Sequence, residues 1–111
     1  MTQDRNGKHP ICLVEETTIA GTSHVEGIAA RARAMSPRCH FTLERDRENI
    51  YDGWAVKVLD SDGVRIGYVS CAYSEIVARL LDGGKWVCGC LTGVQEVDGW
   101  TRIGMAVYLN D

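Results

Sequence analysis

Residues 43 to 52, with the sequence LERDRENIYD, contain the densest group of polar side chains in the chain. A tyrosine ring offers a flat face for stacking on a base, an arginine pairs with a phosphate, and asparagine or aspartate can hydrogen-bond a sugar hydroxyl. Arg45, Asn49, Tyr51 and Asp52 supply these groups close together in the chain. The residue types therefore suit a binder of nucleic-acid ends, although solvated loops of this composition are also common between strands and need no ligand.

The cysteines raise the question of a metal site. Their number is five, and an odd count argues against a disulfide framework. Cys88-x-Cys90, with Cys71 and the Cys39-His40 pair, offers ligands of the type that bind zinc. The spacing differs from the Cys-x2-Cys of a zinc knuckle, and strand alternation is expected to put Cys88 and Cys90 on one inward face. We therefore predict reduced thiols packed in the core, with no metal and no cofactor.

Residue arrangements typical of enzymes give no match. His24 and His40 lie on different elements, and neither has an adjacent serine or cysteine in a recognisable nucleophile setting. Asp46, Glu48 and Asp52 resemble a metal-binding carboxylate cluster but lack the spacing and the glycine of an EF-hand loop. The sequence therefore predicts a protein that is not an enzyme.

Length and charge limit the remaining possibilities. With 111 residues the chain predicts a single domain, which we place at residues 10–111 behind a polar N-terminal tail at residues 1–9. The net charge of −3 argues against binding of nucleic acid through positive charge spread over the whole surface. Residues 28–47 nevertheless hold five arginines against two acidic residues. No stretch approaches the roughly 18 apolar residues of a membrane helix, and the start lacks the apolar core of a signal peptide. We expect a cytoplasmic protein without membrane contact.

The hydropathy pattern predicts the element order βαβββαββ. Strands are expected near residues 11–21, 39–45, 54–59, 64–69, 85–91 and 100–109, and helices at 25–35 and 72–82. The second helix is predicted to bury Ile76, Val77, Leu80 and Leu81, and a turn around residues 97–99 joins the last two strands. Short strands joined by hairpin turns favour a small, mostly antiparallel β-barrel, and the pattern leaves open whether it is OB-like or SH3-like.

Four segments of the sequence, read in order, resemble one known family. They are Thr18-Ile19-Ala20-Gly21, then Arg45-Asp46-x-x-Asn49-x-Tyr51-Asp52, then Ala55-Val56-x-Val58, and then Gly63-x-x-Ile66-Gly67-Tyr68. Any single piece is weak, but the series in this order and spacing is similar to the HIRAN domain. The resemblance covers about residues 17 to 95. HIRAN domains occur fused to helicase-like DNA repair proteins and as stand-alone prokaryotic or phage proteins.

The resemblance implies an OB-like β-barrel that binds DNA, in characterised relatives the free 3′ end of a single strand, and that performs no chemistry itself. Carried over to this sequence, Tyr51 would stack on the terminal base, Asp52 would meet the 3′-hydroxyl and Asn49 would support their loop. Gly67 and Tyr68 would line the neighbouring wall, with backbone close to the nucleotide.

The chain departs from the family pattern at two places. Ile50 stands where proline often precedes the tyrosine, which leaves the loop geometry less preset. Thr22-Ser23-His24 stands where DNA-binding relatives tend to place an arginine and aromatic residues, so that His24 is the residue here expected to face the DNA. The arginines between positions 31 and 47, Arg45 among them, are hypothesised to supply the phosphate contact instead.

Two functions from different classes follow. The first is a non-catalytic module that recognises single-stranded or frayed 3′ ends, or DNA at damaged or stalled forks, for a partner helicase or nuclease. The second is an adaptor that uses the same barrel to dock a protein partner, which the missing arginine near Ser23 and the acidic segments around the basic stretch favour. A third reading, a zinc-dependent hydrolase, would require bound metal.

Overall fold

The computed structural model describes residues 10 to 110, and the predicted tail at residues 1–9 lies outside them. The strands are β1 (Pro10–Thr18), β2 (His40–Arg45), β3 (Val56–Leu59), β4 (Arg65–Tyr68), β5 (Trp86–Val97) and β6 (Trp100–Asn110). The α-helices are α1 (Ile28–Arg33) and α2 (Ser74–Asp82), and a 3₁₀ turn at Thr22–His24 follows β1. The predicted order βαβββαββ is confirmed. Neither helix in the described range is long and apolar enough to cross a membrane.

The six strands form one antiparallel sheet in the order β1-β6-β5-β2-β3-β4. The two ends of this sheet meet just after β1. There the Ala20 amide donates to the Tyr68 carbonyl at 2.8 Å, and the Tyr68 amide donates back to the Ala20 carbonyl at 2.9 Å. This pair of hydrogen bonds, the Ala20–Tyr68 bridge, curls the sheet into a half-barrel, which confirms the predicted antiparallel β-barrel with two short helices.

The core lies between the concave face of the sheet and the helices. Its largest fully buried apolar side chains come from β2, β3, β4, β6, α2 and the residue after β1: Ile19, Phe41, Val56, Val58, Ile66, Val77, Ile103, Met105 and Val107. In β2 the inward residues alternate with exposed ones, as the period of a half-buried strand requires. Helix α2 contributes Val77 and Ala78 from its buried face. The core therefore holds the sheet curled and leaves the loops at its rim free to carry polar side chains.

Both helix predictions need correction in detail. Ile76 does not face the core but is 57% exposed, because α2 turns its Ser74, Val77 and Ala78 side inward and Ile76 lies on the opposite side. Helix α1 begins at Ile28 and not at residue 25, because Val25, which follows the 3₁₀ turn, is extended with φ −106° and ψ 118°.

The last two strands are longer than predicted. β5 continues past Leu91 to Val97 and stays paired with β6 up to the Val97 and Trp100 pair. A two-residue turn makes this possible, because Asp98 and Gly99 both have positive φ, 50° and 79°, as a tight hairpin turn of matching twist requires. Residues 92–97, which the prediction left outside both strands with a turn placed only at 97–99, therefore form part of a long hairpin arm.

The predicted inward placement of Cys88 and Cys90 is wrong. The core positions of β5 belong to Val87 and Leu91, so alternation turns both cysteines to the other face of the sheet. Cys88 is nevertheless buried, and its sulfur lies 2.9 Å from Asn110 Nδ2. The described cysteines are all free thiols, and no cluster of three or more metal-ligating side chains occurs within residues 10–110.

A buried carboxylate ties α1 to the β3–β4 turn. Asp60 is only 6% exposed, and its Oδ1 accepts hydrogen bonds from the amides of Asp62 and Val64 at 2.9 and 3.0 Å. Its Oδ2 accepts from Arg31 Nη1 at 2.7 Å. Burial by itself raises the pKa of Asp60, but the hydrogen bonds from Val64, Arg31 and Asp62 outweigh it and hold the pKa below its ordinary value of 3.8.

Asp60→Asn should lower the unfolding free energy at pH 7 by about 1–3 kcal/mol, because the amide removes the charge that faces Arg31. Since the folded-state pKa of Asp60 is depressed, its contribution is complete above the ordinary value of 3.8 and is lost as the pH falls through the lower folded-state pKa. The stability difference between the two proteins should therefore shrink in acid. Urea unfolding at neutral and acidic pH tests this, and a difference that does not change with pH would contradict it.

Candidate functional site

The predicted site is built on the loop between β2 and β3, residues 46–55, called here the connecting loop. Backbone hydrogen bonds close it at its base, where the Asp46 amide donates to the Ala55 carbonyl at 3.0 Å. A second bond runs from the Ala55 amide to the Asp52 carbonyl at 3.2 Å. The loop is therefore a defined turn between two core strands, although its tip projects from the barrel.

Asn49 organises the tip of the connecting loop. Its Oδ1 accepts hydrogen bonds from the amides of Tyr51 at 2.8 Å and Asp52 at 3.0 Å. An asparagine that binds backbone amides two and three residues ahead fixes a turn in the way that a rigid residue would. Ile50, which lies between Asn49 and Tyr51, is 85% exposed.

The loop order is expected to depend on Asn49. Asn49→Ala removes the acceptor of two backbone amides, so hydrogen exchange at Tyr51 and Asp52 should accelerate about tenfold, while the melting temperature changes little because the loop is exposed. Amide exchange measured by NMR checks this, with the core amide of Val58 as the internal reference. Unchanged exchange at Tyr51 and Asp52 would show that the loop holds itself without the asparagine.

Tyr51 and Asp52 present complementary groups from this turn. The Tyr51 side chain is 92% exposed, so its ring can be covered by a ligand on a face that the protein leaves bare. Asp52 uses Oδ1 to accept from the Trp54 amide at 2.9 Å, which fixes the carboxylate. Within residues 10–110, Oδ2 of Asp52 has no hydrogen-bond partner. One exposed aromatic side chain and one oriented carboxylate thus belong to consecutive residues of the turn.

Arg45 braces the connecting loop and does not project from it. Its guanidinium donates to Asp82 Oδ1 at 3.0 Å, to the Ala55 carbonyl at 3.0 Å and to the Gly53 carbonyl at 3.1 Å. Arg47 also reaches Asp82 Oδ1, at 2.6 Å. The hydrogen bond from Arg45, together with the charges of Arg45 and Arg47, holds the pKa of Asp82 below its ordinary value. The basic stretch is therefore largely compensated by carboxylates, which include Asp60 beside Arg31.

Gly67 and Tyr68 lie at the seam where the barrel closes. Gly67 is buried, and a Cβ atom built on it would lie 2.4 Å from the Ala20 carbonyl oxygen. Its role in the structure is therefore to let the end of β1 approach β4. The half-buried Tyr68 turns its ring outward, and its hydroxyl donates to Asp46 Oδ2 at 2.8 Å. This bond is the main reason that the pKa of Asp46 lies below its ordinary value.

The seven predicted site residues fall into two linked groups and one outlier. Asn49, Tyr51 and Asp52 lie on the connecting loop, and Arg45 precedes it as the last residue of β2. Gly67 and Tyr68 share the seam, and the Tyr68–Asp46 hydrogen bond joins the two groups. His24 ends the 3₁₀ turn that follows the Ala20–Tyr68 bridge. Its side chain is exposed and makes no hydrogen bond to another residue of the described range. Hydrogen bonds thus link the two groups, whereas His24 makes no side-chain hydrogen bond to either of them, although its 3₁₀ turn lies next to β4.

Sequence reasoning missed Arg65, which belongs to the seam group. Arg65 Nη1 donates to the Tyr68 hydroxyl at 2.9 Å, and its guanidinium carbon lies 5.2 Å from the centre of the Tyr68 ring. Residues three apart in a regular strand face opposite sides of a sheet. The pairing of β3 with β4 shifts register after Val58, and this irregularity brings Arg65 and Tyr68 to the same side. Strand periodicity carried no signal of it.

A cavity that is open to the surface lies away from these residues. It measures about 590 Å³ and is lined from β1, β2, β5 and β6, with Arg38, His40, Cys88, Cys90 and Tyr108 among its walls. None of the seven predicted site residues lines it. This open cavity and the connecting loop are therefore different features of the surface.

Comparisons with known proteins agree with this description. A family model for the HIRAN domain matches residues 14–110. A crystal structure of a protein from Lactobacillus plantarum superposes with a TM-score of 0.82 at 21% identity, covering 95% of this chain and 99% of that chain. The crystal structure of the HIRAN domain of human HLTF gives 0.66 at 17% identity, covering 92% of this chain and 81% of that chain.

An NMR structure of the HLTF HIRAN domain gives a TM-score of 0.56 at 17% identity, covering 93% of this chain and 77% of that chain. No curated protein sequence matches the chain. At these identities the solved structures establish the fold, and of the two barrel types left open they match the OB-like form.

Proposed function

The chain belongs to the HIRAN domain family, and from this premise we propose that it is a non-catalytic module that binds the free 3′ end of single-stranded DNA. In this proposal the module holds the end for a partner enzyme, a helicase or nuclease, at damaged or stalled DNA. Family membership supports DNA binding in general. The preference for a 3′ end rests on the connecting loop.

One observation carries the proposal. Asn49 holds Tyr51 and Asp52 in a fixed turn, in which Tyr51 is 92% exposed and the next residue, Asp52, has a carboxylate oxygen with no partner within the described chain. A terminal base stacks on an aromatic ring without regard to its identity. A 3′-hydroxyl donates to a carboxylate, whereas a 3′-phosphate has like charge and is repelled. The pair therefore recognises an end by its chemistry and not by its sequence.

The electrostatics predict moderate affinity. Affinity for nucleic acid falls with salt in proportion to the number of phosphates that the protein neutralises. The chain has a net charge of −3, and Arg31, Arg45 and Arg47 already face carboxylates. We expect a shallow salt dependence with few phosphate contacts, so that stacking and the hydroxyl contact carry much of the binding.

The test measures fluorescence anisotropy of a short labelled strand with a free 3′-hydroxyl beside the same strand with a 3′-phosphate. We expect tighter binding of the hydroxyl strand, and we expect Asp52→Asn to remove most of that preference while total binding falls less. A strand that differs only by a 5′-phosphate serves as the control for charge. Equal affinity for the two 3′ ends in the wild-type protein would refute end recognition.

A second function is supported by a separate observation. Three of the five arginines of the basic stretch are engaged in ion pairs within the fold, Arg31 with Asp60 and both Arg45 and Arg47 with Asp82. Because these arginines are paired with carboxylates of the same chain, fewer cations remain to contact DNA phosphates. This favours docking to a protein partner. If the wild-type protein fails to bind the hydroxyl strand even at low salt, this adaptor function replaces the first.

A further inference from the structure

The arginines of the described range divide into two classes. Four have a carboxylate oxygen within 4.0 Å: Arg31, Arg45, Arg47 and Arg79. The other four have no carboxylate that close among residues 10–110: Arg33, Arg38, Arg65 and Arg102. Of this second class, Arg65 alone touches one of the seven predicted site residues, Tyr68. Among these four arginines, Arg65 is therefore the one that contacts the candidate site.

Arg65 is held in place by a directed chain of hydrogen bonds. The Tyr68 hydroxyl donates its proton to Asp46 Oδ2 at 2.8 Å, so its oxygen is the acceptor for Arg65 Nη1 at 2.9 Å. The guanidinium also lies over the Tyr68 ring, 5.2 Å from its centre. A flexible surface arginine gains a preferred orientation from these two contacts, and Asp46 links that orientation to the base of the connecting loop.

Most of the hydrogen-bonding capacity of Arg65 remains open. A guanidinium has five N–H donors in a planar fork, and Tyr68 uses one of them. Arg65 is exposed, and the only hydrogen bond of its side chain within the described residues is the one to Tyr68. Lys57, the other cation beside Tyr68 in the sheet, is paired with Glu44 at 3.1 Å. The guanidinium of Arg65 can therefore bind two oxygens of one phosphate, and it is better suited to this than the neighbouring Lys57.

We propose that Arg65 is the phosphate-binding residue of the surface formed by the connecting loop and the seam. In this proposal Arg65 binds the phosphodiester next to the terminal nucleotide, on whose base Tyr51 stacks. This inference rests on the proposed function. It assigns to β4 the cation that the segment Thr22-Ser23-His24 lacks, and it assigns no phosphate role to Arg45. The ligand contact is charge-assisted and bidentate, so arginine and lysine are not equivalent at this position.

The test compares Arg65→Gln with Arg33→Gln, a matched loss of one exposed arginine that has no carboxylate partner in the described chain. Binding of the 3′-hydroxyl strand is measured by anisotropy across a salt series. We expect Arg65→Gln to weaken binding about tenfold and to reduce the slope of log affinity against log salt by about 0.7, the value for one phosphate contact on a single strand. Arg33→Gln should change affinity less than about twofold, as a distant surface charge does.

A chemical substitution locates the contact. A strand with one uncharged methylphosphonate linkage near its 3′ end should bind wild type about tenfold more weakly, and it should bind Arg65→Gln with no further loss. Melting temperatures of both variants should match wild type. If Arg65→Gln binds like wild type, or loses no more than Arg33→Gln, the assignment of Arg65 is wrong while the proposed function stands. If wild type does not bind any strand, both fail together.

Discussion

Replacing Tyr51 with alanine is expected to weaken binding of a single-stranded 3′ end by about 1–3 kcal/mol, the range measured for loss of one base-stacking contact. The ring is 92% exposed, so the free protein gains nothing from it and the melting temperature should stay within about 2 °C of wild type. Tyr51→Phe keeps the stacking face and should bind within about threefold of wild type. Anisotropy titrations and thermal melts measure both effects.

Two outcomes would contradict this prediction. A large drop in melting temperature for Tyr51→Ala would mean that the ring supports the fold. Equal affinity of Tyr51→Ala and wild type would mean that the ligand does not use the ring. Tyr73→Ala, a change at another surface tyrosine just before α2, provides the control for nonspecific loss of an aromatic side chain, because Tyr73 is 36% exposed and outside the connecting loop.

Gly67→Ala is expected to cost about 3 kcal/mol of unfolding free energy or more and to lower the melting temperature by about 12 °C or more. The new methyl group would lie 2.4 Å from the Ala20 carbonyl oxygen and 2.6 Å from Ile19 Cγ2. Both neighbours are held, the first by the backbone and the second by the core. The Ala20–Tyr68 bridge must therefore open, and its hydrogen bonds are lost with it.

Gly53→Ala gives the matched control, because a Cβ atom at that position meets nothing within 4 Å and the backbone φ is not positive. Its unfolding free energy should remain within about 0.5 kcal/mol of wild type. Urea unfolding of wild type, Gly67→Ala and Gly53→Ala measures the two differences in unfolding free energy. If Gly67→Ala is as stable as Gly53→Ala, the close approach of β1 to β4 does not hold the barrel shut.

The Gly67 variant also separates two roles for one residue. The family resemblance places Gly67 on the wall beside the nucleotide, whereas its buried position between strands assigns it to barrel closure. A protein that binds DNA normally in the cold but melts early would show closure alone. Loss of binding while the fold persists would show that the wall also matters.

Local sequence determined the elements and the connecting loop. Alternating apolar residues in β2, the turn residues of the hairpins and the apolar spacing of α2 depend only on neighbours a few positions away, so their periods can be read directly. Asn49, Tyr51 and Asp52 likewise act within one turn of chain, since Asn49 reaches amides two and three residues ahead. The same locality explains why the errors at β5 and α1 concern where the elements begin and end.

Tertiary structure decided which faces meet and which charges pair. Alternation placed Cys88 and Cys90 together but could not tell whether the core lay on their side of β5, because that depends on where the helices pack. Arg45 finds Asp82 37 residues away and Tyr68 finds Asp46 22 residues away, distances at which only the path of the whole chain determines contact. Arg65 could not be predicted for the same reason, since it contacts Tyr68 only because the pairing of β4 with β3 shifts register. Spacing along the chain fixes what a segment can form, and the fold fixes what that segment touches.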